Sequence, residues 1–324
     1  MSLNYQFRSI FAPELDSYFA HREACGLTKN GLLAVFKHLD DFISEKCTGK
    51  VFTRSNAEEW IMKRDDESPQ MHYRRVNATK LFFQFLFPNG YEVFLFDDVK
   101  NPPKTFKPHI YTQDEIKRYF LAVDSYTSKV NKYNAVQLPI LFRLLYCCGT
   151  RIGETLMIRK QDVDLNAGII LLSETKNCKQ RYIVLSDELA SLMRCFADKT
   201  FYMLHDGDYI FRSSKGTRLD RKMMTEMHRD LLSMAGIPYQ GNGKGPRIHD
   251  WRHTFAVNAF KQMSDNGIDM YVTLPLLSTY MGHGTIMATE YYLRLTLELF
   301  PSIEQKMAET AELVFKEADH EKAL

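Results

Sequence analysis

The sequence predicts a mainly α-helical fold in two domains, with a small β-hairpin in the second. Three observations carry this. The chain has 324 residues, more than a single hydrophobic core organises comfortably. Apolar residues recur at helical spacing through most of it. Residues 101–108 hold Pro102, Pro103 and Pro108, which cannot continue a helix and make a stiff, extended connection. The expected organisation is a helical domain over 1–104, a linker over 105–111, a second domain over 112–300 and a helical tail over 301–324.

In the first domain, Leu32, Leu33, Phe36, Leu39 and Phe42 mark a helix within 27–47. Ser55-Asn56-Ala57-Glu58 has the capping-box pattern and opens a helix through Trp60 and Ile61. A further helix runs from about 69 to 87 and stops at the turn Pro88-Asn89-Gly90. Its early half carries Arg74, Arg75 and Lys80 and its late half is apolar. A basic head on an apolar foot suits a helix laid on a phosphate backbone. A solvated basic face is the equally good alternative.

Thr112-Gln113-Asp114-Glu115 repeats the capping-box pattern and starts the second domain. Helices are expected near 113–124, 134–148, 187–198, 220–235, 249–264 and 272–281. Residues 168–172 and 181–185 read as two strands, and the turn between them holds Lys176, Asn177 and Lys179. The stretch from Gly241 to Pro246 resembles a phosphate-binding loop but lacks G-x-x-x-x-G-K-[ST], and reads as a connector. No internal repeat or low-complexity tract interrupts the chain.

With 45% apolar and 25% charged residues, the composition is that of an ordinary globular protein. No apolar run reaches the ~18 residues that a membrane span needs. No secretion signal opens the chain, so a cytoplasmic protein is expected. The six cysteines form no C-x-x-C pair, and Cys147 and Cys148 read as buried small hydrophobes. His249 and His253 stand four apart without the glutamate of a zinc motif, so no metal and no other cofactor is expected. The net charge is +2, but residues 301–324 carry −3, which leaves a basic body compatible with DNA.

Four islands concentrate chemistry-bearing residues: Gly149-Thr150-Arg151-Ile152-Gly153-Glu154, Lys176 in the turn, His249-Asp250-Trp251-Arg252-His253, and Met281-Gly282-His283 followed nine residues later by Tyr292. Stabilising an oxyanion without metal requires the charge on its oxygens to be neutralised. Guanidinium groups do this with permanent charge and forked donors, which makes Arg151 and Arg252 the candidates. Glu154, three positions after Arg151, is placed to hold its guanidinium. A phenol with a pKa near 10 is only about 0.1% ionised at neutral pH. Nearby arginines are expected to lower the pKa of Tyr292, and His249 to help move its proton.

In order and spacing these islands resemble the catalytic domain of tyrosine site-specific recombinases of the integrase type. Arg151 lies 98 residues before His249, and Tyr292 lies 43 after it. The resemblance covers roughly 110–300, and the first domain looks like the family's core-binding domain. It implies a DNA strand-breaking and rejoining enzyme working through a 3′-phosphotyrosyl intermediate on Tyr292. Lys176 is then the general acid, with Lys179 as its rival, and His283 a donor to a non-bridging oxygen. Family spacing selects Tyr292 over Tyr291 and leaves Tyr291 to packing, and His253 reads as a buried structural histidine. The partner implied is double-stranded DNA with inverted half-sites, bound by a homotetramer whose acidic tails pass between protomers; a terminal helix packed on its own domain is the alternative for the tail. No arm-binding module like that of larger phage integrases is expected. A type IB topoisomerase and a catalytically silent DNA-binding regulator are the alternative readings.

Overall fold

A run of phenylalanines builds the first core. The computed structural model describes residues 5–27, 31–103, 107–128, 131–173, 180–241, 245–282 and 287–300. The chain divides into two compact units, Met1–Phe106 and Lys107–Leu324. In the first unit the helices α1 (Ala12–Ala24), α2 (Leu33–Lys46), α3 (Arg54–Ile61) and α4 (Pro69–Leu86) pack together. Their buried faces carry Phe11, Phe19, Phe36, Phe82 and Phe83. Most rings meet edge-on or tilted, as with Phe19 and Phe36 at 5.2 Å and Phe52 and Phe83 at 4.6 Å, arrangements that aromatic quadrupoles favour. A two-residue parallel pair, β1 (Val51–Phe52) and β2 (Glu92–Val93), joins the segment between α2 and α3 to the one after α4 and was not anticipated.

Two expectations for this unit are corrected. The helix through Trp60 is capped by Thr53, not Ser55. Thr53 Oγ1 accepts from the Asn56 amide at 3.2 Å, and Asn56 Oδ1 accepts from the Thr53 amide at 3.0 Å. Asparagine thus performs the reciprocal role usually given to glutamate. Arg75 is buried, so it is not placed to meet a phosphate. Its guanidinium makes two 2.8 Å bonds to Glu67 and donates to the carbonyls of Trp60 and Met62. It therefore ties α4 to the end of α3. Arg74 is exposed and donates to the Gly31 carbonyl, and Lys80 pairs with the exposed Asp98 at 2.6 Å.

The second unit contains α5 (Gln113–Ser125), α6 (Asn134–Cys147), α7 (Ile152–Thr155), β3 (Val163–Asp164), β4 (Ile169–Leu172), β5 (Arg181–Val184), α8 (Asp187–Thr200), α9 (Arg221–Met234), α10 (Asp250–Asp265), α11 (Met270–Met281) and α12 (Met287–Leu299). The six helices expected here, α5, α6, α8, α9, α10 and α11, fall within two residues of their expectations, and α12 had none. The Thr112 capping box forms, with Thr112 Oγ1 accepting from the Glu115 amide at 3.2 Å and Glu115 Oε2 accepting from the Thr112 amide at 2.8 Å. The strands form an antiparallel sheet in the order β3-β4-β5, with Leu172 opposite Arg181. Residues 107–111, expected as linker, pack on this unit: the amide of His109 donates to Asp250 and that of Tyr111 to Thr254. Cys148 is buried but Cys147, at the end of α6, is exposed. Among the described residues no helix is long and apolar enough to cross a membrane. The tail over 301–324 lies outside the described residues.

Trp251 anchors the second core, stacked on Tyr111 at 3.8 Å. Beside it, buried His228 has its Nδ1 2.6 Å from the Tyr119 hydroxyl and bonds the Pro246 backbone. Burial is the main cause that pushes His228 down from 6.5 to about 3. A base whose folded pKa is depressed contributes stability that is complete above its unfolded pKa and lost as pH falls toward the folded value. Thermal unfolding midpoints should therefore decline from about pH 6.5 to 5, where most carboxylates are still ionised. The slope should be shallower in His228→Gln. A midpoint that stays level across this window, or an unchanged slope in the variant, would contradict the assignment.

Candidate active site

Helix α6 ends at Cys147, and a tight turn delivers Arg151 to the N-cap of α7. The turn depends on Gly149, whose φ is +59° and where a Cβ would lie 2.2 Å from the Phe255 ring. No side chain fits there. Thr150 secures the turn, its hydroxyl 2.7 Å from that of Thr155 and donating to the Leu144 carbonyl.

Arg151 precedes its helix instead of sharing a helical face with Glu154. The acid nevertheless holds it twice. Glu154 Oε1 accepts from Arg151 Nη1 at 2.6 Å, and Oε2 from the Arg151 amide at 3.2 Å. The second guanidinium arm, Nη2, donates to the Gly282 carbonyl at 3.2 Å. Burial would raise the Glu154 carboxyl, but hydrogen bonds and charge from Arg181 and Arg151 outweigh it and hold it down at about 2. It is ionised at any working pH.

Arg252 lies in the first turn of α10 and is 1% exposed. Its Nη1 donates to the Gly149 carbonyl and its Nη2 to the Met281 carbonyl, both at 2.6 Å. Burial, then the charge of Arg151, lowers it to about 10, so it stays cationic at neutral pH. His249, the N-cap of α10, is held down at about 4 by burial, then by the charges of Arg252, Arg151 and Arg247. At neutral pH it is an uncharged imidazole, able to accept a proton.

Tyr292, on α12, is 4% exposed and hydrogen-bonded with Arg252. Its ring sits 5.1 Å from that of His253 and packs among Ala256, Val257, Phe260 and Leu295. The expected lowering of its pKa is corrected. Burial raises it, and this exceeds the downward pull of Arg252 and Arg151. Tyr291, expected as packing, is the exposed tyrosine of the pair, at 38% against 4%. Adjacent helical positions point ~100° apart, and only Tyr292 is turned toward the arginines.

Arg151, Glu154, His249, Arg252 and Tyr292 thus meet in one place. Lys176 and His283 lie outside the described residues. Sequence reasoning missed Arg181, which opens β5 and donates to Glu154 Oε2 at 2.7 Å. Its only signal was its place directly after the turn that carries Lys176. Forked, permanently charged donors beside a phenol and a neutral imidazole suit one chemistry well: binding a tetrahedral oxyanion and transferring it to the phenol oxygen.

Comparisons with known proteins identify the family. Residues 110–298 match the profile of the phage integrase family. A protein of Sinorhizobium fredii named as an integrase/recombinase, y4rB, is 28% identical over 213 residues, 63% of this chain and 67% of that one. Tyrosine recombinase XerA of Thermococcus kodakarensis is 28% identical over 207 residues, 63% of this chain and 65% of that one. The chain therefore spans about two thirds of the length of these curated relatives. The fold is shared with the solved Tn1549 transposon integrase, with a TM-score of 0.61 at 17% identity, covering 86% of this chain and 94% of that one. With the profile matching more than half of its length, the chain belongs to the phage integrase family of tyrosine recombinases.

Proposed function

We propose that the protein is a site-specific DNA recombinase that cuts and rejoins strands through a covalent 3′-phosphotyrosyl bond to Tyr292. The observation that carries this reading is the hydrogen bond between Tyr292 and buried Arg252, with Arg151 and neutral His249 at the same place. The Tyr292 oxygen attacks the scissile phosphorus while Arg151 and Arg252 hold its non-bridging oxygens, joined by His283. His249 accepts the phenol proton. The DNA 5′-oxygen leaves with a proton from Lys176, and a 5′-hydroxyl of the partner strand reverses the steps. No metal or cofactor takes part in these steps.

Double-stranded DNA is the partner of this reading, in the cytoplasm that holds it. A solved lambda integrase dimer bound to a core site and the Tn1549 integrase with circular intermediate DNA support it by shared fold. Arg74 and Lys80 on α4 are the phosphate contacts proposed for the first unit. Four protomers assemble on two paired sites of inverted half-sites, and the tail over 301–324 passes to a neighbouring catalytic domain. Within it Ile303, Met307, Thr310, Leu313 and Val314 share helical spacing, and six acids give it a net −3. An apolar stripe supplies affinity, and negative charge complements a basic neighbour.

Covalent capture tests the chemistry. A nicked duplex bearing the half-site that the full-length chain enriches from random-sequence DNA should yield an adduct that survives denaturation and maps to Tyr292. Tyr292→Phe should abolish it with binding nearly unchanged, whereas Tyr291→Phe should retain it. An adduct mapped to Tyr291 overturns the assignment.

The phosphate clamp and the acid are separable by kinetics. Removing one preorganised donor to a developing oxyanion costs about 100- to 1000-fold in rate, and at least that is expected for Arg151→Ala and Arg252→Ala. Lys176→Ala should lose as much, and recover when the 5′-oxygen is replaced by sulfur, which leaves without a proton. Absence of that rescue removes Lys176 as the acid. Cleavage should persist in excess chelator.

Assembly is read by truncation. Deleting residues 302–324 should spare half-site binding while cooperative assembly and strand exchange fail. A truncated chain that exchanges strands like the full-length protein rules out a tail-mediated tetramer.

A further inference from the structure

Glu154 presents a problem for the proposed clamp. A carboxylate 2.6 Å from Arg151, ionised and 4% exposed, cancels most of the charge that Arg151 would offer a phosphate. A carboxylate in that position also repels the phosphate itself. In a site of low dielectric such a penalty is severe. An orienting acid alone would weaken the group it orients.

The structure answers with a second guanidinium. Arg181 Nη2 meets the other oxygen of Glu154 at 2.7 Å, and its side chain is 12% exposed. One carboxylate between two arginines leaves the cluster at +1 in place of zero. Arg181 reaches further. A Cβ on Gly282 would lie 2.9 Å from Arg181 Nη1 and 3.2 Å from its Cζ, so the guanidinium rests against that glycine, whose φ is +64°. The carbonyl of the same glycine accepts from Arg151, and the carbonyl before it accepts from Arg252. Three guanidiniums thus gather around the Met281-Gly282 turn. Arg181 is the first residue of β5, so it also fixes the strand that leaves the hairpin turn. Its charge acts on Arg252 as well, adding to burial and Arg151 in lowering that group.

We propose that Arg181 is a positioning and charge-balancing residue of the recombination site: by sharing Glu154 it leaves Arg151 both oriented and net cationic toward the scissile phosphate. It does so without touching substrate. The inference rests on the recombinase reading above and adds a third arginine to it.

The test uses the full-length chain, the selected half-site and single-turnover adduct formation on the nicked duplex. Arg181→Gln should slow the adduct about 100-fold, the scale of losing an electrostatic donor, while half-site binding stays near wild type. Arg181→Lys keeps the charge and should remain within about tenfold of wild type. Glu154→Gln placed in the Arg181→Gln chain should recover about tenfold or more, because the uncompensated negative charge is then gone. A purely structural role for Arg181 gives the opposite pattern, in which the second change adds to the first loss. Wild-type rates in Arg181→Gln, equal losses for Lys and Gln, or a double variant no faster than Arg181→Gln each overturn the proposal. If Arg181→Gln does not fold, Arg181→Lys decides, since a loss near 100-fold with the charge retained contradicts charge balance. A wild-type chain that forms no adduct overturns the recombinase reading and this inference with it, whereas a wild-type adduct with an indifferent Arg181→Gln overturns this inference alone.

Discussion

A guanidinium sealed inside the second unit is the constraint on which the rest of the site depends. Arg252 is 1% exposed, and taking such a charge from water costs several kcal/mol unless other groups replace its hydration. Two backbone carbonyls do so, from Gly149 and Met281. These belong to the turn that delivers Arg151 and the end of the helix that leads toward Tyr292. Satisfying one buried cation therefore pins three distant stretches of chain together. It also explains why Gly149 carries no side chain, since a Cβ there would strike Phe255 and open the turn.

The same burial sets the protonation states. His249 is neutral because its imidazolium would be desolvated beside Arg252, Arg151 and Arg247. Glu154 stays ionised because two arginines outweigh its desolvation. Burial among apolar side chains of α10 and α12 further disfavours the phenolate of Tyr292, so it stays protonated. Each group is thereby held in the form the proposed reaction starts from: fixed cations, a proton acceptor and a protonated nucleophile. For these groups the proposed reaction then needs little reorganisation.

Much of this was legible in the sequence, and the limits have physical causes. Helix bounds in the second unit followed from period and caps such as Thr112, where the local signal is also the tertiary one. Arg151, Glu154, His249, Arg252 and Tyr292 were legible through the resemblance of their order and spacing to the family's catalytic domain, and the fold does bring them together. Arg75 was misread because its neighbours in sequence are basic, whereas its actual partner, Glu67, comes from the segment before the helix and turns it inward. Thr53 was missed because asparagine replaced the expected glutamate in its cap. Arg181 reads as an ordinary strand residue, and only the distant Glu154 gives it meaning. The exposure of the two tyrosines was not predictable, since it depends on how α12 lies against α10.

Magnitudes indicate which of these groups does most in the proposed reaction. Ionising a phenol of pKa 10 at pH 7 costs about 4 kcal/mol, at 1.36 kcal/mol for each unit, and burial of Tyr292 makes the cost larger. An imidazole held at about 4 is too weak a base to meet that cost by itself. One preorganised donor to a developing oxyanion contributes about 3 to 4 kcal/mol, so Arg151 and Arg252 each act on the same scale as the ionisation of a phenol. Proton acceptance by His249 is then subordinate to the clamp, whose strength rises as negative charge develops on the phosphate. In the proposed reaction the clamp ties the reactivity of Tyr292 to bound DNA, because only a phosphate held between those guanidiniums gives the phenol oxygen a target.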